Sequence, residues 1–70
     1  MNNEIKEIEA YIAQLEADNI KLSGSMDPEK VEIAQASGIM TPEQVEIATN
    51  NHIIKMMATE ALRILKVGNN

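Results

Sequence analysis

The chain has 70 residues, is 44% hydrophobic and 24% charged, carries a net charge of −5, and contains no Cys, one His and one aromatic residue, Tyr11. That length allows one small domain, whose single core supplies only about 3–5 kcal/mol. Disulfides and thiol chemistry are excluded by the missing Cys, and a His-based metal cluster by the lone His. Self-association is the staple that remains.

The first predicted element is a helix from about Asn3 to Leu22. Met1, Ile5, Ile8, Ile12, Leu15, Asn19 and Leu22 fall at alternating spacings of four and three. That is the a/d seam of a coiled coil, with Asn19 as its one polar member. A seam this narrow needs another helix to close over it. Its flanks hold Glu9 and Glu16 on one side and Glu4, Tyr11 and Asp18 on the other, with no Lys. Two copies of this helix therefore repel, and a helix with basic borders is the better match. Asn19 either fixes register by pairing with another polar group or sits wet at a frayed end. Tyr11 lies beside the seam and is expected at the rim of the core. The solvated carboxylates Glu7, Glu9 and Glu16 have no nucleophile or pocket former near them, so acid–base chemistry is not expected there.

Ser23-Gly24-Ser25 is expected to end this helix, with Gly24 left-handed, so that residues 23–26 form a linker. Residues 27–70 then form a hairpin with a long C-terminal helix. Its signature is a repeat of period 14: Asp27-Pro28-Glu29-Lys30-Val31-Glu32-Ile33-Ala34 is echoed by Thr41-Pro42-Glu43-Gln44-Val45-Glu46-Ile47-Ala48. Each copy is a helix start, with Asp27 and Thr41 as N-caps, Pro28 and Pro42 in the first turn, and Glu29 and Glu43 favouring the helix dipole. Helix two is predicted over about Pro28–Ser37, stopped by Gly38, and helix three over about Pro42–Lys66, fraying into Gly68-Asn69-Asn70.

Two resemblances lie on this turn. Ile33-Ala34-Gln35-Ala36-Ser37-Gly38-Ile39, followed by Val45 and Ile47, resembles a helix-turn-helix core, which implies DNA binding. It departs from that pattern by placing Gln44 where a buried residue is expected and by opening the recognition helix with Pro42-Glu43-Gln44-Val45-Glu46, acidic where phosphates must be met. Gly38 to Val45 also resembles the turn of short helical hairpin modules such as the SHOCT domain. That likeness covers about fifteen residues, is mostly capping chemistry, and implies only a compact helical hairpin.

Helix three has a broad apolar arc of Ile53, Ile54, Met57, Ala58, Ala61, Leu62, Ile64 and Leu65, with Lys55, Thr59, Arg63 and Lys66 opposite. The arc is wide enough for two neighbours. Its basic borders make it the expected partner of helix one, in the same chain or exchanged with another. Met57 belongs to the arc, whereas Met56 points to an adaptable exposed contact. His52 has no Cys, second His or carboxylate at helical spacing and reads as a surface residue. Three bases without Trp or Phe make a poor membrane-surface helix.

Charge is uneven along the chain. Residues 1–37 hold eight acids and three Lys, whereas residues 38–70 balance three acids with three bases. An acidic front half opposes nucleic-acid binding. With no apolar run long enough for a membrane span and an N-terminus unlike a signal peptide, the expected compartment is the cytoplasm.

The sequence thus predicts an all-α chain of three helices (long, short, long) in a small bundle completed by self-association, a dimer above all. It predicts no catalysis, cofactor or metal. The expected function is protein binding as an oligomeric adaptor, assembly factor or inhibitor, of the kind common among phage and mobile-element accessory proteins. The partners are a second copy and another protein, and the alternative is a DNA-associated regulator. The expected partner-binding residues are Ile5, Ile8, Tyr11, Ile12, Leu15, Asn19, Leu22, Lys55, Met56, Arg63 and Lys66.

Overall fold

A computed structural model describes residues 3–68, which form three helices and nothing else: α1 (Asn3–Ser25), α2 (Pro28–Ser37) and α3 (Pro42–Gly68). The all-α, long–short–long expectation is met. Met1, the first residue of the predicted seam, and Asn69-Asn70 lie outside the described residues.

Local chemistry sets the two helix starts. The Asp27 side chain accepts from the Glu29 amide at 3.1 Å, and Pro28 opens α2. At α3 the cap is reciprocal: the Gln44 amide donates to Thr41 Oγ1 at 3.2 Å, and the Thr41 amide donates to Gln44 Oε1 at 2.8 Å. This capping box satisfies two donors that the first turn otherwise leaves free. α2 stops at Gly38, whose φ of 75° and ψ of 10° are left-handed, and the Ile39 amide closes back on the Ala34 carbonyl at 3.1 Å. A side chain at position 38 meets no neighbouring atom within 4 Å, so the glycine is needed for its backbone angle and not for space.

The end of α1 differs from expectation. Gly38 is the glycine with positive φ among the described residues, so Gly24 is not left-handed, and the helix runs on to Ser25. The linker shrinks to Met26-Asp27. Ser25 Oγ donates to the Leu22 carbonyl at 3.0 Å, which satisfies one end carbonyl without a glycine cap. α3 likewise stays helical through Gly68.

The tertiary structure is one helix pair and an arm. α1 and α3 pack along their length, whereas α2 brings no Cα atom within 8 Å of either long helix. Asn19 meets Asn50 and Asn51, and Glu4 acts electrostatically on Arg63, so α1 and α3 run antiparallel. The seam of α1 is closed by α3 of the same chain. The Cα envelope measures 52 × 20 × 11 Å, with a radius of gyration of 16.0 Å. A compact 70-residue domain has a radius of gyration of about 11 Å. The molecule is elongated, and the α1–α3 pair forms one layer. Stable domains bury their apolar stripes between two layers. Here Ile5, Leu15 and Ala34 are the buried hydrophobic residues.

Candidate interaction surface

The hydrogen bonds of Asn19 fix the register of the pair. Asn50 Nδ2 donates to Asn19 Oδ1 at 2.9 Å, and Asn19 Nδ2 donates to Asn51 Oδ1 at 3.0 Å. Setting Asn19 opposite Asn50 places Leu22 opposite Ile47, Leu15 opposite Ile54, Ile12 opposite Met57, Ile8 opposite Ala61 and Ile5 opposite Ile64. Each step of three or four along α1 is answered by the same step back along α3. Two heptad seams of equal phase are therefore zipped together, with the amides meeting in one layer. Asn19 is paired and half-buried, not frayed. Asn50 and Asn51 were missed in the sequence, although Asn50 stands at seam spacing between Ile47 and Ile54.

This closure accounts for six of the expected partner-binding residues. Ile5 and Leu15 are buried, and Ile8, Ile12, Asn19 and Leu22 are half-buried, with α3 as their partner. Tyr11 keeps 46% of its surface exposed at the rim, in a shallow cleft with Glu4, Glu7, Met57, Glu60 and Ile64. Lys55, Met56, Arg63 and Lys66 are exposed. Arg63 is turned to its own helix: it donates to both carboxylate oxygens of Glu60, with Nε at 3.1 and 3.2 Å. The hydrogen bond from Arg63 holds the Glu60 carboxyl below its ordinary range, and the same bond raises the guanidinium. Arg63 is exposed and Glu60 is half-exposed, so the pair is a surface feature. Lys55 and Lys66 make no ion pair with α1, so the expected match between the basic borders of α3 and the acids of α1 is not formed among the described residues.

The broad arc of α3 divides along its length. One half, with Ile54, Met57, Ala61 and Ile64, faces α1. The other half remains open: Leu62 is 59% exposed and Leu65 39%, with Ala58 exposed between them and the turn below. Ala58, Leu62 and Leu65 are spaced by four and three, a short second apolar stripe beside the first with Lys55 at its edge. It lies on the face of the layer opposite Tyr11, because Tyr11 shares its cleft with Glu60 on the other flank of α3.

At the foot of this second stripe is an open groove of about 480 Å³ between α2 and α3, with Ala34, Gln35, Ile39, Met40, Ile47 and Ala48 in its walls. The groove exists because α2 is held off α3 by the left-handed turn at Gly38. Ile39 and Met40, 71% and 52% exposed, stand at its mouth. Nothing in the periodicity marks it, since it forms between elements and not along one.

Among the described residues no His, Cys, Asp and Glu cluster has the spacing to hold a metal ion, and no helix is long and apolar enough to cross a membrane. Comparison with known proteins finds no matching family model, curated protein or solved structure.

Proposed function

We propose that this chain is a non-catalytic protein-association module that works by presenting a helix face to another polypeptide, as an adaptor, assembly factor or inhibitor does. One observation carries the reading. A hairpin already zipped along one seam leaves a second apolar seam, Ala58–Leu62–Leu65, open beside it. Contiguous apolar surface rimmed by polar groups marks interaction sites in small proteins. The rim here is Lys55 and Lys66 on α3 and Glu9 and Glu16 on α1, all exposed and unpaired among the described residues.

A DNA-associated regulator is the weaker reading. Its turn is present at Gly38, but α2 does not pack against α3 as the first helix of such a motif must to orient the second. The start of α3 also presents Glu43 and Glu46 where phosphates would lie.

A photo-crosslinking residue placed at Leu62, and separately at His52 on the polar side of α3, tests the reading. Covalent adducts to any polypeptide, a second copy included, are expected from position 62 and not from position 52. Equal yields, or none at either position in cells and in concentrated solution, overturn it.

A further inference from the structure

We propose that the cleft beside Tyr11 binds a cationic side chain, arginine above all, presented by a basic segment of another polypeptide. The cleft lies on the face of the α1–α3 pair opposite the Ala58–Leu62–Leu65 stripe. It is therefore a second site, built from different residues.

The cleft has a volume of about 370 Å³ and combines three features that a long cation needs. Its floor is apolar, with Ile8 of α1 and Met57 and Ile64 of α3, all half-buried. Tyr11, 46% exposed, forms one wall. Glu4, Glu7 and Glu60 supply carboxylates at the rim. An apolar floor covers the methylene stem of an arginine while the charged head stays at the mouth. The guanidinium then stacks on the aromatic ring and takes a carboxylate through two parallel N–H bonds. Tyrosine is also one of the residues that most often anchor a protein contact.

Charge selects this cleft over its neighbours. The groove between α2 and α3 has no charged residue in its walls, and the cleft of His52, Lys55, Met56, Thr59 and Glu60 contains a base. The Tyr11 cleft has three acids in its walls and no base. Arg63 stands close enough to feel Glu4, but its hydrogen bonds go to Glu60. Glu4 and Glu7 are exposed and make no ion pair among the described residues. Lys6 is about 100° from Glu7 and 200° from Glu4 around the helix, towards the opposite flank. On that flank Glu9 and Glu16 face Lys55 and Lys66 across the pair, with no aromatic side chain between them.

The acidic flank also continues past the cleft, which favours a segment with several bases over a lone cation. Asp18 lies seven residues after Tyr11, and Glu46 lies fourteen before Glu60, so both return to the same side of their helices. Lys21 stands at the far end. A partner helix with bases at helical spacing meets these carboxylates in turn.

Titration of the isotope-labelled chain with a short alanine-based peptide bearing Arg at every fourth position tests the proposal. Physiological salt is used, because screening over about 8 Å then separates the two faces electrically. Amide shifts are expected at Glu4, Glu7, Ile8 and Tyr11 with a submillimolar Kd. The same peptide with neutral citrulline in place of Arg is expected not to bind. Glu4→Gln combined with Glu7→Gln is expected to weaken binding several-fold, as is Tyr11→Leu, which keeps apolar bulk without the ring. Glu9→Gln combined with Glu16→Gln makes the same change in net charge on the other face and is expected to alter the affinity less than twofold. Equal weakening by the two double variants overturns the site, because the attraction is then that of the acidic chain as a whole. Full affinity in Tyr11→Leu, shifts confined to other residues, or no binding at millimolar peptide overturns it too. None of these readings involves Leu62, so this site and the Ala58–Leu62–Leu65 stripe stand or fail separately.

Discussion

The two copies of the repeated octad, Asp27–Ala34 and Thr41–Ala48, share their capping chemistry and differ in almost everything that follows. Both begin with an oxygen cap, a first-turn proline and a first-turn acid. Yet Ile33 is 61% exposed on a short helix that brings no Cα atom within 8 Å of either long helix, while its counterpart Ile47 is half-buried opposite Leu22. Ala34 is buried and its counterpart Ala48 is exposed. The difference is length and phase. α2 ends ten residues after it starts, whereas α3 continues for 27 residues and brings seven-residue spacing into register with α1. A cap starts a helix; only a partner surface of matching phase makes it part of a core.

The strongest way to break this comparison is to truncate residues at equivalent places inside and outside the pair. Leu15→Ala removes a buried layer opposite Ile54 and should cost about 2–5 kcal/mol. That is most of what a domain this size has, so the helical signal should be largely lost in mild urea. Ile47→Ala should be destabilising too, whereas Ile33→Ala should fall within about 0.5 kcal/mol of wild type. Equal costs for Ile33 and Ile47 in urea titration would mean that α2 is packed after all.

The turn between the copies gives the next effect. Gly38→Val forces a β-branched residue into the left-handed region and should cost about 1–2 kcal/mol. Thr41→Ala deletes half of the capping box and should cost about 0.5–2 kcal/mol in the global transition. Asp27→Ala removes the same kind of cap from α2, but its consequence should stay local. Amide exchange should quicken in 28–37 while the urea midpoint holds. A matching drop in midpoint for Asp27→Ala would join the arm to the cooperative unit.

The amide layer sharpens the comparison within the pair itself. Replacing Asn19 and Asn50 together by Leu should raise stability by about 1 kcal/mol, since a half-buried polar layer becomes apolar. It should also relax the register, because the hydrophobic layers alone are alike when shifted by a heptad. Sharp amide resonances giving way to a doubled set would report the second register. An unchanged melting temperature would assign the layer to solvent.

The smallest effect is that of pH on the Arg63–Glu60 pair. A carboxyl whose folded value is lowered stabilises the fold above its unfolded value and loses that contribution as pH falls through the lowered one. The pair lies at the surface and is screened by solvent, so Glu60→Gln should leave the melting temperature at neutral pH nearly unchanged and flatten its decline in acid only slightly. A large difference at neutral pH between wild type and Glu60→Gln would place Arg63 in a wider network reaching Glu4 on α1.

Much of this molecule is determined by the sequence alone. Capping residues, first-turn prolines and Gly38 fix three helices, because those signals act within a turn or two of backbone. The spacing from Ile5 to Leu22 marks a surface that must be covered. The end of α1 was not legible: Gly24 suits a helix stop, but a glycine also continues a helix when nothing demands a positive φ. The tertiary structure decided what covers the seam, since charge at the flanks pointed to α3 while no Lys55 or Lys66 ion pair with α1 forms among the described residues. Register, set by Asn19 with Asn50 and Asn51, was likewise a tertiary outcome, because it depends on two amides 31 residues apart arriving at the same level. So was the division of the α3 arc into a closed half and an open one. Periodicity shows how wide an apolar surface is, but only the packing of the chain shows how much of it is left for another molecule.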